Sequence, residues 1–194
     1  MNEKLNENNQ ELIILGVHRS GTSLLTRIIN LCGAYLGEEE ELMLGNPNDN
    51  PKGHWENKFI VNINDKILNY FGGSWDQPPQ FPDFWWNWDG LNDIKKEIQF
   101  LIYELKKNAP NIAIKDPRMC LTLPLWKKYL CNAKFIILAR NSYENISSLK
   151  KRNDFPQIKN FNIYTSYWTN IIENTNNEKR LFVSFDNLLT LLHK

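Results

Sequence analysis

The segment LGVHRSGTSLL, residues 15–25, joins an apolar run to an amphipathic helical pattern. Gly16 and Gly21 stand on either side of four residues, and the hydroxyl residues Thr22 and Ser23 follow the second glycine. A glycine-rich turn between a strand and a helix binds phosphate, because backbone N–H groups and the helix N-terminus converge on the anion. The segment therefore predicts a phosphate-binding loop, with an ordinary strand-to-helix turn as the alternative.

The loop differs from an ATP-binding loop at one position. ATP-binding loops read G-x-x-x-x-G-K-[ST], and their lysine contacts the β- and γ-phosphates. Here Thr22 stands in place of that lysine, and the cation lies three residues earlier, at Arg19. This arrangement favours a donor with a single phosphate next to a less charged transferable group.

Strand and helix patterns alternate from this loop onward. Four apolar runs are continuous, as in strands covered on both faces. They are Glu11–Val17, Asn111–Lys115, Lys134–Ala139 and Arg180–Phe185. Helical spacing covers Thr22–Cys32, Lys58–Tyr70, Leu91–Lys107, Tyr143–Lys151 and Phe161–Glu173. The stretches Gly33–Asn57 and Gly72–Gly90 are predicted as long loops that are either functional covers or disordered. The order predicts an α/β fold with a three-layer parallel sheet.

The residues R-S-G-T-S of the loop resemble the 5′-phosphosulfate loop of the sulfotransferase family, in its tyrosylprotein and bacterial carbohydrate-type branches. The resemblance implies a P-loop fold and 3′-phosphoadenosine 5′-phosphosulfate (PAPS) as donor, with 3′,5′-ADP (PAP) as product. It also implies which residues hold the phosphosulfate. These are His18, Arg19, Ser20, Gly21, Thr22 and Ser23.

The resemblance implies a second site, for the donor's 3′-phosphate, formed by a strand-end arginine and a serine eight residues later. The stretch FIILARNSYENISSLKKR provides Arg140 and Ser148 at that spacing, with Ser147 as the neighbouring choice. Arginine binds phosphate through a planar fork of donors, and serine adds a hydroxyl. Without the first loop, Arg140 would instead be interpreted as a partner of a carboxylate.

The stretch IKDPRMC carries two further cations. Lys115 ends a predicted strand, where ligands of open α/β sheets bind. Lys-Asp-Pro also resembles the tyrosylprotein-type branch, in which the lysine lies near the transferring group. Arg118 is predicted to reach the donor or the acceptor, and Asp116 to orient Arg118 or to cap the loop. A buried lysine stem with a solvated ammonium is the alternative for Lys115.

Two glutamates are candidates for the base that removes the acceptor's proton. The stretch NPKGHWEN presents His54, Trp55 and Glu56, and a carboxylate shielded by Trp55 is suited to accepting a proton. Glu39 is the competitor, because it lies about twenty residues past Arg19 in a Gly-Glu-Glu context similar to the tyrosylprotein branch. We favour Glu56, and we place His54 and Trp55 on the acceptor side.

The stretch FPDFWWNWDG contains Trp85, Trp86 and Trp88. Trp86 is assigned to the acceptor site, because aromatic faces stack on sugars and other flat molecules. The alternative is a lid whose tryptophans pack on the core.

Composition excludes several classes of protein. A net charge of +1 is unlike that of a nucleic-acid binder. The three cysteines are too few for a disulfide framework, and Cys32 and Cys131 are predicted to be buried thiols. We expect no metal, no membrane span and a cytoplasmic location. Residues 1–10 are predicted to be a disordered tail, and residues 11–194 a single domain that is short for its class or truncated.

Three functions remain open at this point. The first is a PAPS-dependent sulfotransferase that acts on a hydroxyl or amine of a small-molecule or glycan acceptor. The second is a P-loop kinase or hydrolase, which the missing lysine disfavours. The third is a non-catalytic nucleotide-binding relic.

Overall fold

The structure, a computed structural model, describes residues 10–43, 45 and 50–192. In this part of the chain, four strands alternate with seven α-helices. The strands are β1 (Gln10–Leu15), β2 (Asn111–Lys115), β3 (Ala133–Ala139) and β4 (Arg180–Ser184). The helices are α1 (Thr22–Leu31), α2 (Lys58–Tyr70), α3 (Asn92–Asn108), α4 (Met119–Trp126), α5 (Ser142–Asn153), α6 (Gln157–Thr175) and α7 (Phe185–Leu192).

The strands form one parallel sheet in the order β2-β1-β3-β4. Ile13 of β1 lies beside Ile114 of β2 on one side and Phe135 of β3 on the other. Because these strands are parallel, the loops that follow β1, β2 and β3 all leave the same edge of the sheet. Ligands of open parallel sheets bind at this carboxyl edge, next to the first strand.

Helices cover both faces of the sheet. Side chains of a strand alternate between faces, so Ile13 and Leu15 belong to the larger core, whereas Ile14 belongs to the smaller one. The larger core includes buried residues of α2, α3, α4 and α6. The smaller core packs Leu25 of α1 against the opposite face, with Phe185 beside it. The predicted three-layer α/β fold is confirmed.

The predicted strands and five predicted helices are observed with shifts of a few residues at their ends, whereas α4 was missed. Every residue of α4 except Pro124 is buried. A helix that is apolar on all sides has no amphipathic period, so its sequence MCLTLPLW does not produce the helical pattern. The region 33–57 contains a short 3₁₀ helix, Glu39–Glu41, and the region 72–90 contains two more, Trp85–Asn87 and Asp89–Leu91.

Two smaller predictions need correction. Cys32 and Cys131 are exposed and only Cys120 is a buried thiol, because Cys32 lies just past the last turn of α1 and Cys131 in the turn before β3. Residues 1–9 of the predicted tail lie outside the described residues, and Gln10 belongs to β1.

Candidate active site

The predicted phosphate-binding loop, residues 16–21 and called the phosphate loop below, connects β1 to α1 at the carboxyl edge of the sheet. Gly21 is the N-cap of α1 and adopts φ 94°, a left-handed conformation that glycine accepts without strain. Since glycine has no side chain, no capping oxygen competes for the N–H groups of the first turn. Arg19 also has a positive φ, 70°. Non-glycine residues in this region are strained and cluster at ligand sites.

The loop and the β3–α5 motif are joined through Arg19. Nε of Arg19 donates to Oγ of Ser148 at 3.1 Å, and Nη1 of Arg140 donates to the carbonyl oxygen of Arg19 at 3.1 Å. Arg140 also pairs with Glu144 at 3.1 Å. The two motifs predicted to bind phosphates at separate ends of a donor therefore form one continuous basic surface.

Phe185 forms a wall beside this surface. Its ring lies below the guanidinium of Arg140, 4.9 Å from the ring centroid. A Cβ atom at Gly21 would come within 2.3 Å of the same ring. The close approach of Phe185 is thus a second reason why position 21 requires glycine.

Lys115 and Glu56 form a buried ion pair beside the loop. The Nζ atom of Lys115 lies 2.5 Å from Oε1 of Glu56, and the side chains are 2% and 8% exposed. Lys115 also donates to Oγ of Ser23 at 3.2 Å and to the carbonyl oxygen of His54 at 3.1 Å. A single ammonium group therefore links the first turn of α1, the end of β2 and the predicted base.

Asp116 holds the turn that follows Lys115. Its Oδ1 accepts from the backbone N–H of Arg118 at 3.1 Å and from Nη1 of Arg118 at 3.0 Å. Buried Asn64 donates to Oδ2 of Asp116 at 2.8 Å. Arg118 also pairs with Asp65 at 2.7 Å, and the Asp116 and Asp65 carboxylates raise its pKa against the effect of burial. The structure thus places Asp116 where it orients Arg118, as the sequence predicted.

His18 is a buried member of the loop. Its Nε2 lies 3.2 Å from the hydroxyl of Tyr167 on α6, and its ring packs on Trp75 with 4.7 Å between centroids. Burial, followed by the positive charges of Arg118 and other nearby cations, lowers the pKa of His18 well below its usual value. The imidazole is therefore neutral at physiological pH.

These groups surround a cleft of about 230 Å³. The predicted residues that line it are His18, Arg19, Gly21, Thr22, Ser23, His54, Glu56, Lys115 and Arg140. Leu24, Asn50, Pro117, Arg152 and Phe185 complete the lining. Four of the lining residues are arginine or lysine and one is a carboxylate, so the cleft is suited to a polyanionic ligand.

The other predicted residues lie outside the lining of the cleft among the described residues. Ser148 accepts a hydrogen bond from Arg19, which does line the cleft. Ser20 is buried, and Arg118 is paired with carboxylates. Glu39 is exposed on its 3₁₀ helix. Trp86 packs against the larger core and Trp55 against Arg27, with the guanidinium 4.3 Å from the ring centroid.

Sequence reasoning missed Phe185 and Tyr167. It interpreted the basic run that ends at Arg152 as a solvated helix end, with added positive potential near the 3′-phosphate as the alternative. Arg152 lies four residues after Ser148 on α5, so helical spacing could have placed both on one face. Phe185 and Tyr167 carry no comparable signal, because each comes from a distant part of the chain.

Within residues 10–43, 45 and 50–192, no group of three or more His, Cys, Asp or Glu side chains is placed to hold a metal ion. Across the same residues, no helix has the length and apolar character needed to cross a membrane.

Comparisons with known proteins bear on the fold. No protein-family profile matches the sequence, and no curated protein matches it. Among solved structures, the chain is similar to the sulfotransferase domain from the Synechococcus PCC 7002 olefin synthase, with a TM-score of 0.57 and 17% identity. The match covers 94% of this chain and 68% of that one. The chain therefore has a sulfotransferase-like fold.

Proposed function

We propose that this protein is a sulfotransferase that transfers a sulfuryl group from PAPS to a hydroxyl or amine of a small-molecule or glycan acceptor. The observation that carries the proposal is the joining of two anion-binding motifs at Arg19. Arg19 donates to Ser148 and accepts from Arg140, so the two motifs are adjacent, which supports a single ligand that spans both. PAPS has anionic groups at its 5′ and 3′ ends, which such a paired site fits.

The groups that line the cleft support this choice of donor. The uncapped first turn of α1, with Arg19 and Lys115, would hold the 5′-phosphosulfate. Arg140 and Ser148 would hold the 3′-phosphate, with Arg152 adding positive charge nearby. The missing P-loop lysine disfavours ATP, because Thr22 has no charge to offer a γ-phosphate.

Glu56 is the base that the geometry supports best. In the reaction, the acceptor oxygen or nitrogen forms a bond to sulfur, the bond between sulfur and the bridging oxygen breaks, and the acceptor's proton moves to the base. Glu56 is buried in the cleft beside Lys115, whereas Glu39 is exposed outside its lining. Lys115 would stabilise the charge on the departing oxygen, next to the carboxylate that takes the proton.

Calorimetric titration with 3′,5′-ADP and with ATP-magnesium tests the donor. Tight binding of 3′,5′-ADP and weak binding of ATP-magnesium are expected, and the reverse order would support a kinase or hydrolase instead. Incubation with PAPS and a panel of hydroxyl and amine acceptors then separates an enzyme from a relic, which would bind the donor without turnover. The variant Lys134→Ala is a control for both measurements and should behave as the wild type. Lys134 is an exposed residue near the amino end of β3, opposite the cleft.

A further inference from the structure

A chain of two hydrogen bonds connects the phosphate loop to the region 72–90. The hydroxyl of Tyr167 donates to the carbonyl oxygen of Trp75 at 2.9 Å, and the same hydroxyl lies 3.2 Å from Nε2 of His18. Tyr167 is fully buried and His18 is 7% exposed. Water therefore competes little for these bonds.

The chain determines which nitrogen of His18 carries the proton. A carbonyl oxygen can only accept, so the single proton of the Tyr167 hydroxyl is used at Trp75. The hydroxyl oxygen must then accept from His18, and Nε2 is the protonated nitrogen. Because the neutral imidazole has one proton, Nδ1 keeps its lone pair.

The segment around Trp75 is held firmly enough to maintain this arrangement. Asp76 pairs with Lys159 of α6 at 2.6 Å and accepts from the Ser74 hydroxyl at 2.8 Å. The indole of Trp75 packs on the imidazole of His18, and the guanidinium of Arg152 lies 5.2 Å from the indole centroid. A flip of the imidazole would move Nε2 away from the Tyr167 hydroxyl and break their hydrogen bond.

We propose that Tyr167 is a positioning residue that holds His18 as the Nε2–H tautomer, so that Nδ1 accepts a hydrogen bond from the attacking hydroxyl or amine. His18 orients the nucleophile, and Glu56 takes its proton. The role of Nδ1 rests on the proposed sulfuryl transfer, whereas the tautomer does not. His18, Glu56 and Lys115 all line the same cleft.

Nuclear magnetic resonance of protein with ¹⁵N-labelled histidine tests the tautomer without any ligand. Long-range ¹H–¹⁵N spectra distinguish a protonated ring nitrogen from one with a lone pair, and loss of signals in His18→Gln assigns the imidazole among the three histidines. We expect Nε2–H in the wild type and a mixture of tautomers in Tyr167→Phe. An Nδ1–H wild-type spectrum, or identical spectra in both proteins, overturns the proposal. The wild-type spectrum remains decisive if the variant does not fold.

The kinetic test uses PAPS with water as the acceptor. Tyr167→Phe should lower the rate of sulfate release about two- to tenfold, the equivalent of one hydrogen bond, with the Kd of 3′,5′-ADP unchanged. Equal losses in rate and affinity would show a merely structural role and overturn the proposal. Tyr164→Phe is the matched control, since Tyr164 lies on the same helix and packs on Trp168 outside the cleft lining.

The two tests separate this proposal from the proposed function. If the wild-type protein neither binds 3′,5′-ADP nor turns over PAPS, sulfuryl transfer is wrong, and with it the catalytic role of Nδ1. The hydrogen-bond chain and the tautomer would still be tested by the spectra alone.

Discussion

Arg140 donates from Nη1 to the backbone carbonyl of Arg19 at 3.1 Å, across 121 residues of sequence. The contact makes the end of β3 a support for the phosphate loop as well as a candidate phosphate ligand. The positive φ of Arg19 gives its carbonyl group an uncommon orientation, and the hydrogen bond from Arg140 stabilises that orientation. Substitutions at these two positions therefore have effects that can be separated.

Arg140→Ala should weaken binding of 3′,5′-ADP about 10- to 100-fold, because a charge-assisted hydrogen bond contributes roughly 1.5–3 kcal/mol. AMP has no 3′-phosphate, so its affinity should fall much less. The remaining loss should reflect only the hydrogen bond from Arg140 that no longer supports the phosphate loop. Calorimetric titration of both nucleotides provides the comparison. Equal losses for the two would mean that Arg140 acts only through Arg19.

Arg19→Gly should abolish sulfuryl transfer and leave the folded state at least as stable as in the wild type. Glycine adopts the φ of 70° without the strain of a side chain, so the variant separates charge from backbone conformation. Turnover of PAPS and thermal unfolding are the measurements. Wild-type turnover would show that the guanidinium has no role in the reaction.

Glu56→Gln should lower turnover about 10²- to 10⁴-fold, as expected for loss of a general base. It should also destabilise the fold by about 3–5 kcal/mol, because Lys115 would remain buried without its counter-ion. The double variant Glu56→Gln/Lys115→Met should recover most of that stability but not the activity. Urea unfolding and PAPS turnover measure the two effects.

Glu39→Gln is the matched control, because Glu39 is exposed on its 3₁₀ helix. We expect near wild-type stability and turnover for this variant. A loss of turnover at Glu39 with none at Glu56 would move the base to Glu39.

The free energy of unfolding should fall as the pH decreases below about 6.5, the usual pKa of an unfolded histidine. The pKa of His18 is lowered in the folded protein, so the unfolded chain binds a proton that the folded chain does not. The contribution is up to about 1.4 kcal/mol per pH unit between the two pKa values. Urea unfolding at pH 5.5 and 7.5 should show a smaller pH dependence in His18→Phe than in the wild type. An unchanged dependence would mean that the folded protein protonates His18.

Two of the three cysteines should react with a thiol reagent in the native protein, and the third only after unfolding. Cys32 and Cys131 are exposed, whereas burial raises the pKa of the Cys120 thiol to about 12. Mass spectrometry after labelling, with and without denaturant, identifies the sites. Rapid labelling of Cys120 in the native protein would contradict the position of α4 in the core.

The sequence predicted the sheet well because β1, β2 and β3 are apolar runs between clear turn signals. It did not predict that Arg19 and Arg140 meet, since spacing along the chain does not show which loops share an edge. The sequence did not predict that Trp55 packs beside Arg27 while Glu56 lines the cleft. The backbone turns between these two side chains at Trp55, which adopts φ 57°, a conformation not expected of tryptophan. Tyr167 has the pattern of a core residue, and its hydrogen bond to the loop depends on tertiary structure.

Among the residues that line the cleft, His18 comes first in the sequence and Phe185 comes last. During synthesis on the ribosome, at roughly 5–20 residues per second, about 8–33 s separate the appearance of these two walls. A nascent chain that has formed β1 and α1 would therefore still lack the Phe185 side of the site. The cleft can be completed only after α7 has emerged, so the candidate site is incomplete while most of the chain is being made.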